Sequence, residues 1–388
     1  YYGARFSNIT FGDSLESIGE YAFYNSALKQ VVIPSKVGAI ASYSFANSDG
    51  VERIQLPNEL RSIGYNAFYS CDNLKTVNLP DSLTELGSGA FSYVYKLESI
   101  TIPAKLKLIS NNAFKNCTSL KNVTFQKGLE TIGDAAFSGC NVLDNIALPD
   151  GLKSIGYNAF YSCDNLKTVN LPNSLTELGS GAFSNAPKLE SITIPAKLKL
   201  ISNNAFNSCT GLKEVIFQEG LETIDYDAFY NCTVLDNVVL PEGLNSIGSS
   251  AFSYCNALKN ITFPKSLTNL GSSAFMYSGF REITMPENVT SLPYNLFYQC
   301  DSLHTVHLAQ GTIRIGDYCF YACKSLKNID LNLPSLVSIG NEAFSGCSSM
   351  KEVVLSNSIT SLGSSVFSSC KSLQSPTLPS GIVSLQSS

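Results

Sequence analysis

The sequence predicts an elongated α/β solenoid built from many copies of one short unit. Two observations carry this prediction. A Phe recurs about every 23 residues along the whole 388-residue chain, and a strand-like segment that ends in Pro recurs with the same period. A constant period of roughly 20 to 50 residues is typical of solenoids, in which each unit buries its apolar side only against its neighbours.

The repeat can be written LKxVxLPxxLxxIGxxAFxxCxx, and it contains one Phe that marks its position. Successive intervals between these residues are 23, with slips of one residue at a few places. The repeat Phe residues are Phe23, Phe45, Phe68, Phe91, Phe114, Phe137, Phe160, Phe183, Phe206, Phe229, Phe252, Phe275, Phe297, Phe320, Phe344 and Phe367.

The first half of the repeat predicts a short β-strand. In "LKTVNLP", apolar and polar residues alternate, which places Val77 and Leu79 inward and Thr76 and Asn78 outward. The Pro that follows, as at Pro80, has no N–H group and ends the hydrogen-bonded ladder. One such strand per repeat would stack into a parallel sheet.

The second half, as in "IGYNAFYSC", predicts a turn at Gly64 and then a short helical or 3₁₀ segment with Ala67 and Phe68 inward. A parallel β-helix is the alternative fold. The single predicted strand per repeat and the recurrent inward Phe argue against it.

The "LP…IG…AF…C" pattern resembles the BspA-like class of leucine-rich repeats, and the resemblance covers essentially the whole chain. It implies a right-handed horseshoe with the parallel sheet on its concave side and the helical or 3₁₀ turns on its convex side. Residues 1–388 are then expected to form one solenoid of about 16 to 17 repeats, cut within a repeat at both ends.

A block of four repeats is duplicated. The stretch "IGYNAFYSCDNLKTVNLP" occurs at residues 63–80 and again at 155–172, and two further identical stretches share the same offset of 92 residues. A recent duplication therefore explains the identity between copies, and it weakens any claim that a particular copied residue was selected for a task.

Composition excludes several classes of function. The net charge is -5 without a basic run, so no nucleic-acid footprint is expected, and no apolar stretch is long enough to span a membrane. No catalytic motif is present, and neither a metal nor another cofactor is expected. His304 and His307 are interpreted as ordinary surface residues, although they are also kept as possible contact residues.

The twelve Cys residues are predicted to be buried free thiols. Eleven follow a repeat Phe by three residues, and Ser26, Ser48, Val94, Ala186 and Ser278 occupy the same slot elsewhere. Every substitute is small, which indicates a tight packing site where polarity is unimportant, since free Cys behaves as a small hydrophobe. The remaining residue, Cys319, replaces the usual Ala.

The residue that follows the first Leu of each strand alternates in charge from one repeat to the next. The sign changes without exception over eleven repeats, through Lys29, Glu52, Lys75, Glu98, Lys121, Asp144, Lys167, Glu190, Lys213, Asp236 and Lys259. Neighbouring parallel strands would place opposite charges side by side and favour correct register.

Candidate contact residues lie on two surfaces. The outward strand row holds mostly small neutral residues, including Asn78 and Thr101, with Ile216 and Val239 as a small apolar spot; it has no aromatic platform for a sugar. The other surface carries Tyr pairs that flank the repeat Phe, and a helical spacing of four would place both rings on one side. These pairs are Tyr65 and Tyr69, Tyr157 and Tyr161, Tyr226 and Tyr230, and Tyr294 and Tyr298.

The resemblance to BspA-like repeats implies a non-enzymatic, secreted or cell-surface protein that adheres to protein partners such as host or matrix proteins. We expect it to be a monomer. An intracellular protein–protein interaction scaffold of the same fold is the alternative.

Overall fold

A computed structural model of the chain describes residues 7–374 and 377–382. The chain forms two compact units, Tyr1–Lys197 and Leu198–Ser388, which are described separately below. The predicted cuts within a repeat at the two ends fall partly on residues 1–6 and 383–388, which lie outside the described residues.

The first half of the repeat forms a short strand, as predicted. In the repeat of Phe68, Val77 and Leu79 are buried while Thr76 and Asn78 are exposed. These strands form the first row: β2 (Gln30–Val32), β4 (Arg53–Gln55), β6 (Thr76–Val77), β8 (Ser99–Ile102), β10 (Asn122–Phe125), β12 (Asn145–Ala147), β14 (Thr168–Asn170), β16 (Ser191–Ile194), β18 (Glu214–Phe217), β20 (Asn237–Val239), β22 (Asn260–Thr262), β24 (Glu282–Thr284), β26 (Thr305–His307) and β28 (Asn328–Ile329).

The second half of the repeat also contains a strand, so the expectation of a single strand per repeat is wrong. The two residues that precede the repeat Gly are extended, and they pair with the equivalent two residues of the adjacent repeat. These strands form the second row: β1 (Ser17–Ile18), β3 (Ala39–Ile40), β5 (Ser62–Ile63), β7 (Glu85–Leu86), β9 (Leu108–Ile109), β11 (Thr131–Ile132), β13 (Ser154–Ile155), β15 (Glu177–Leu178), β17 (Leu200–Ile201), β19 (Thr223–Ile224), β21 (Ser246–Ile247), β23 (Asn269–Leu270), β25 (Ser291–Leu292), β27 (Arg314–Ile315), β29 (Ser338–Ile339) and β30 (Ser361–Leu362).

Both rows are parallel within each unit. In the first unit the first row contains β2-β4-β6-β8-β10 and β12-β14-β16, and the second row contains β1-β3-β5-β7 and β9-β11-β13-β15. In the second unit the first row contains β20-β22 and β24-β26-β28, and the second row contains β17-β19-β21-β23 and β25-β27-β29-β30. Equivalent residues pair in register, as Ile54 does with Val77 and Ile63 with Leu86.

The segment around the repeat Phe is a run of turns, and no helix occurs in the described residues. The prediction of helical or 3₁₀ turns is therefore wrong. Asn66 and Ser70, two residues before and after Phe68, have φ of 50° and 49°. The N–H groups of Asn66, Phe68 and Ser70 donate at 2.8–3.0 Å to carbonyls of the next repeat, while those of Ala67 and Tyr69 close local turns at 3.1–3.3 Å. With left-handed residues four positions apart, every second N–H group of this segment points at the next repeat. These bonds form a third inter-repeat ladder, which a helix could not provide.

The repeat Phe side chains form the centre of the core. From Phe23 to Phe183 in the first unit, and from Phe206 to Phe367 in the second, neighbouring rings stack with centroids 5.1–5.8 Å apart and interplanar angles of 2–18°. Offset stacking of this kind contributes about 0.5–1.5 kcal/mol per pair beyond area burial. Each repeat therefore stabilises the position of the next one.

Candidate functional site

The outward row of the first strands is exposed, as predicted, apart from the half-buried Thr193. Asn78 and Thr101 are exposed in the first unit, and Ile216 and Val239 in the second, where Val239 retains 60% of its accessible area. The row is a polar surface with isolated apolar side chains.

The two histidines are exposed and lie where the repeat places them. His307 ends β26 in register with Thr284, and its Nε2 lies 2.7 Å from the Glu282 carboxylate of the preceding repeat. His304 occupies the alternating-charge position, where its N–H donates to the Arg281 carbonyl at 2.8 Å. Among the described residues, no group of three or more His, Cys, Asp or Glu side chains is arranged to hold a metal ion.

The alternating charges are neighbours through their backbones but not through their side chains. The Glu52 N–H donates to the Lys29 carbonyl at 2.9 Å, and the same bond recurs along the row. Within either unit, however, no ion pair joins two members of this row in the part of the chain that the structure describes. The side chains extend into solvent, so the row acts on register only through a screened field.

A second set of ion pairs, which the sequence did not suggest, lies just before the second-row strands. Glu130 is bridged by Lys107 at 3.4 Å and Lys153 at 2.7 Å. Hydrogen bonds from Lys153 and then from Lys107 lower the pKa of the Glu130 carboxyl. A comparison of charges at this second slot of the repeat would have revealed the alternation.

The cysteines are free thiols, and all but the half-buried Cys370 are fully buried. Polarity matters in their slot, contrary to the prediction. The Sγ of Cys71 donates to the Phe45 carbonyl of the preceding repeat at 3.1 Å, and Ser48 Oγ makes the same bond to Phe23 at 2.7 Å. Equivalent bonds are made by Cys117, Cys140, Cys163, Cys232, Cys255, Ser278, Cys300, Cys323, Cys347 and Cys370.

Burial makes these thiols poor nucleophiles. It raises the pKa of Cys117, Cys255 and Cys300 to about 12, and that of the more accessible Cys370 to about 11. The thiolate is the reactive species, so the slot has a packing and hydrogen-bonding role.

The residues that flank the repeat Phe form a surface that we name the turn face. In the second unit a continuous run of aromatic rings crosses it through Tyr230, Tyr254, Tyr277, Tyr298 and Tyr321. Centroids are 4.6–6.0 Å apart, and the rings are half-buried. Burial raises the pKa of the Tyr230 and Tyr277 phenols, which keeps them neutral hydrogen-bond donors.

The predicted Tyr pairs do not act as pairs, because no helical turn brings their rings together. Each ring instead contacts a neighbouring repeat: Tyr65 lies 5.2 Å from Tyr43, and Tyr69 lies 5.4 Å from Tyr93. The Tyr294 ring likewise contacts Tyr318 at 5.8 Å. In the pair of Tyr226 and Tyr230, the Tyr226 hydroxyl accepts a hydrogen bond from Asn203 at 2.9 Å. Adjacent repeats, and not spacing within one repeat, decide which rings meet.

Tyr157 and Tyr161 are different, since neither contacts another aromatic ring in the described part of the chain. They border a depression of about 710 Å³ on the turn face of the first unit, which we name the turn groove. Its walls include Asn111, Asn116 and Asp134. The sequence signal for this groove is the occurrence of small residues on both sides of Phe137.

None of the described residues lies in a helix that is long and apolar enough to cross a membrane.

Comparison with known proteins agrees with this architecture. The sequence profile of the BspA type leucine rich repeat region matches residues 1–121, 85–212, 176–304 and 271–388. No curated protein matches the chain.

Two solved structures of bacterial proteins are among those similar to the chain. A leucine-rich repeat protein of Bacteroides ovatus is 30% identical, with a TM-score of 0.78, and the match covers 92% of each chain. A leucine rich cell surface protein of Faecalibacterium prausnitzii is 26% identical over 83% of this chain and 85% of its own, with a TM-score of 0.48. The chain therefore belongs to the BspA-type leucine-rich repeat family and has the parallel-strand β-solenoid fold of that class.

Proposed function

We propose that the chain is a non-enzymatic, secreted or cell-surface protein that adheres to protein partners, and that the tyrosine run of the second unit is its main contact surface. The observation that carries the proposal is the continuous run of contacting rings from Tyr230 to Tyr321, in which stacked pairs alternate with tilted or edge-to-face pairs. Leucine-rich repeat proteins bind proteins through the surface of the solenoid.

The run has the properties of a protein-binding surface. Tyr is enriched at interfaces and at their energetic hot spots, because a large rigid ring offers contact area while its hydroxyl stays hydrated. Rings that contact both neighbours are already ordered, so little side-chain entropy is lost when a partner binds. Tyr298, for example, is held between Tyr277 at 6.0 Å and Tyr321 at 4.9 Å.

The outward strand row is the competing surface. Ile216 and Val239 are both exposed there, and they form its apolar spot in the second unit. Isolated exposed apolar residues are common on protein surfaces, whereas five adjacent tyrosines are not. The turn face is therefore the stronger candidate.

The BspA-type family match supports a location outside the cell, and an intracellular scaffold of the same fold is the alternative. The free thiols are compatible with either compartment, because all of them except the half-buried Cys370 are buried away from oxidants. Labelling intact cells with an impermeant reagent, followed by capture of this protein, separates the two. Labelling is expected, and protection until lysis would contradict the surface location.

The contact surface is tested by binding to a panel of host and matrix proteins. Tyr254→Ser, Tyr277→Ser and Tyr298→Ser are combined in one variant, and Ile216→Ser with Val239→Ser in a matched variant of the strand row. If the run holds the hot spot, the first variant weakens binding by about 30-fold, equivalent to about 2 kcal/mol, and the second by less than about threefold.

Circular dichroism and the unfolding midpoint report whether each variant keeps its fold. Unchanged affinity of the tyrosine variant would refute the proposed surface. Loss of binding only in the strand-row variant would show that the strand row is the contact surface.

A further inference from the structure

We propose that the turn groove of the first unit binds an uncharged saccharide. This site is separate from the tyrosine run, which lies in the second unit, and it does not depend on the function proposed above. The groove of about 710 Å³ lies within the range of roughly 300–1,000 Å³ that small-ligand sites occupy.

The groove exists because one repeat has small residues at three positions around its Phe. These residues, Ala135, Ser138 and Gly139, flank Phe137, and they lie between larger residues of the two adjacent repeats. Gly139 has a φ of +73°, and a Cβ at this position would lie within 2.1 Å of Asn116 Oδ1. A side chain cannot be added there without moving the groove wall.

The chain contains a filled counterpart of the same slots. At the duplication offset of 92 residues, the three small residues are replaced by Asp227, Tyr230 and Asn231, and Asn116 is replaced by Ser208. The Asn231 amide donates to the Ser208 hydroxyl at 3.3 Å, so the larger side chains are accommodated. The groove is thus specific to the first copy.

Two aromatic faces remain uncovered at the groove. Tyr157 and Tyr161 belong to the stretch 155–172, which is identical to 63–80. In the earlier copy Tyr65 and Tyr69 contact tyrosines of the adjacent repeats. Beside Tyr157 the position of Tyr43 is taken by Ala135, and the groove beside Tyr161 is lined by the small residues Ser138 and Gly139, so both rings have an open face towards the groove, and Tyr157 is 56% exposed. The apolar C–H face of a sugar ring can stack on such a surface.

Polar groups beside these rings are held in fixed positions. Asn111 Oδ1 accepts the Asp134 N–H at 2.8 Å, and Asp134 Oδ1 accepts the Tyr157 N–H at 2.8 Å. Each bond uses one side-chain oxygen and leaves the Asn111 amide donors and the second Asp134 oxygen for a ligand. An oriented donor and an oriented acceptor in one groove match the adjacent hydroxyls of a sugar.

Charge and backbone chemistry favour a saccharide over an ionic ligand or a peptide strand. Lys115 and Asp134 give the lining a balance of one positive and one negative charge. The N–H groups of Ala135 and Gly139 already donate to the next repeat at 2.7 and 2.8 Å, so the groove floor offers no ladder to an added strand.

The test uses the complete 388-residue chain with an array of neutral oligosaccharides, including gluco-, manno-, xylo- and N-acetylglucosamine oligomers. Any saccharide that binds is then titrated calorimetrically. Combining Tyr157→Ala with Tyr161→Ala is expected to weaken binding at least about tenfold by removing both stacking faces. Tyr157→Phe with Tyr161→Phe keeps the faces and is expected to retain most of the affinity.

The duplication provides matched controls. Tyr65→Ala with Tyr69→Ala changes the identical sequence away from the groove and is expected to leave saccharide affinity within about twofold. Asn116→Ser, Ser138→Tyr and Gly139→Asn together copy residues that the chain already accommodates in the second copy, and they are expected to abolish binding by filling the groove.

Absence of binding to every neutral saccharide on the array would overturn the proposal. So would an equal loss in the Tyr65 and Tyr69 control, undiminished binding by the filled-groove variant, or a groove that binds only peptides. Because binding of protein partners is measured with variants of the second unit, failure here leaves that result unaffected.

Discussion

The Gly before each turn segment is expected to be required by the close approach of adjacent repeats. At Gly87 a Cβ would lie 2.4 Å from the Gly64 carbonyl carbon, 2.5 Å from the Tyr65 nitrogen and 2.6 Å from the Gly64 oxygen. All three atoms belong to the backbone, so no side-chain rotation can relieve the overlap. Gly87→Ala should therefore separate two repeats locally.

The free-energy cost of Gly87→Ala depends on how far the two repeats can separate. The same slot holds Ser110 and Asp225 in other repeats, which shows that a Cβ can be accommodated when the neighbours adjust. Overpacking in a core typically costs about 1–3 kcal/mol. We expect Gly87→Ala to destabilise this region by about 2 kcal/mol, which corresponds to an increase of about 30-fold in local opening.

Native-state hydrogen exchange measured by mass spectrometry is the appropriate assay, because stability in a repeat protein is set largely between neighbours. Peptides that contain the Gly87 amide, which donates to the Ile63 carbonyl at 2.7 Å, should lose protection. Gly179, whose environment repeats these distances, provides an internal replicate.

Gly19→Ala is the matched control, since it changes the same slot where no atom lies within 4 Å of the added Cβ. It should be neutral or slightly stabilising, by up to about 1 kcal/mol, because Ala restricts the unfolded chain. Equal protection from hydrogen exchange in the Gly87→Ala and Gly19→Ala proteins would show that the close approach of repeats is not the reason why Gly is needed at position 87.

Three further results are expected. Cys163→Ser should cost less than Cys163→Ala in denaturant unfolding, because Ser can keep the bond to the preceding repeat that Ser48 and Ser278 make; equal costs would show that only volume matters. In native protein at pH 8, a thiol reagent should modify Cys370 first, and more quickly as the pH rises towards its pKa of about 11; peptide mapping would detect an earlier site. Because the Glu130 pKa is lowered, its stabilising contribution is present above the unfolded pKa and is lost as the pH falls through the folded value. Lys153→Ala should move that carboxyl pKa back up in an NMR titration, and no movement would exclude the ion pair in solution.

The periodic part of the fold could be predicted from the sequence because each repeat slot has one dominant environment. The inward positions of Val77 and Phe68 follow from alternation and from the recurrence of Phe, and both residues are buried. The segment around Phe68 could not be predicted, because its conformation depends on two left-handed residues that are not Gly, Asn66 and Ser70. Their strain is offset by inter-repeat hydrogen bonds that are absent from an isolated repeat.

The candidate site shows the same division. Tyr residues on the turn face were identified from their spacing, but their contacts were assigned to the wrong neighbours. Tyr65 and Tyr157 occupy identical sequences, yet only Tyr65 has a ring beside it. The deciding residues, Tyr43 and Ala135, lie 22 residues earlier in the chain in both cases, one repeat away.

The sequence by itself determined the period, the inward residues and the class of solenoid, because every repeat must bury the same side against its neighbours. Only the tertiary structure decided the second strand row, the bonded thiols and the location of the turn groove. Those features arise between repeats. The environment of a residue such as Gly139 or Tyr161 is set by the residues of the adjacent repeats and not by its neighbours in the sequence.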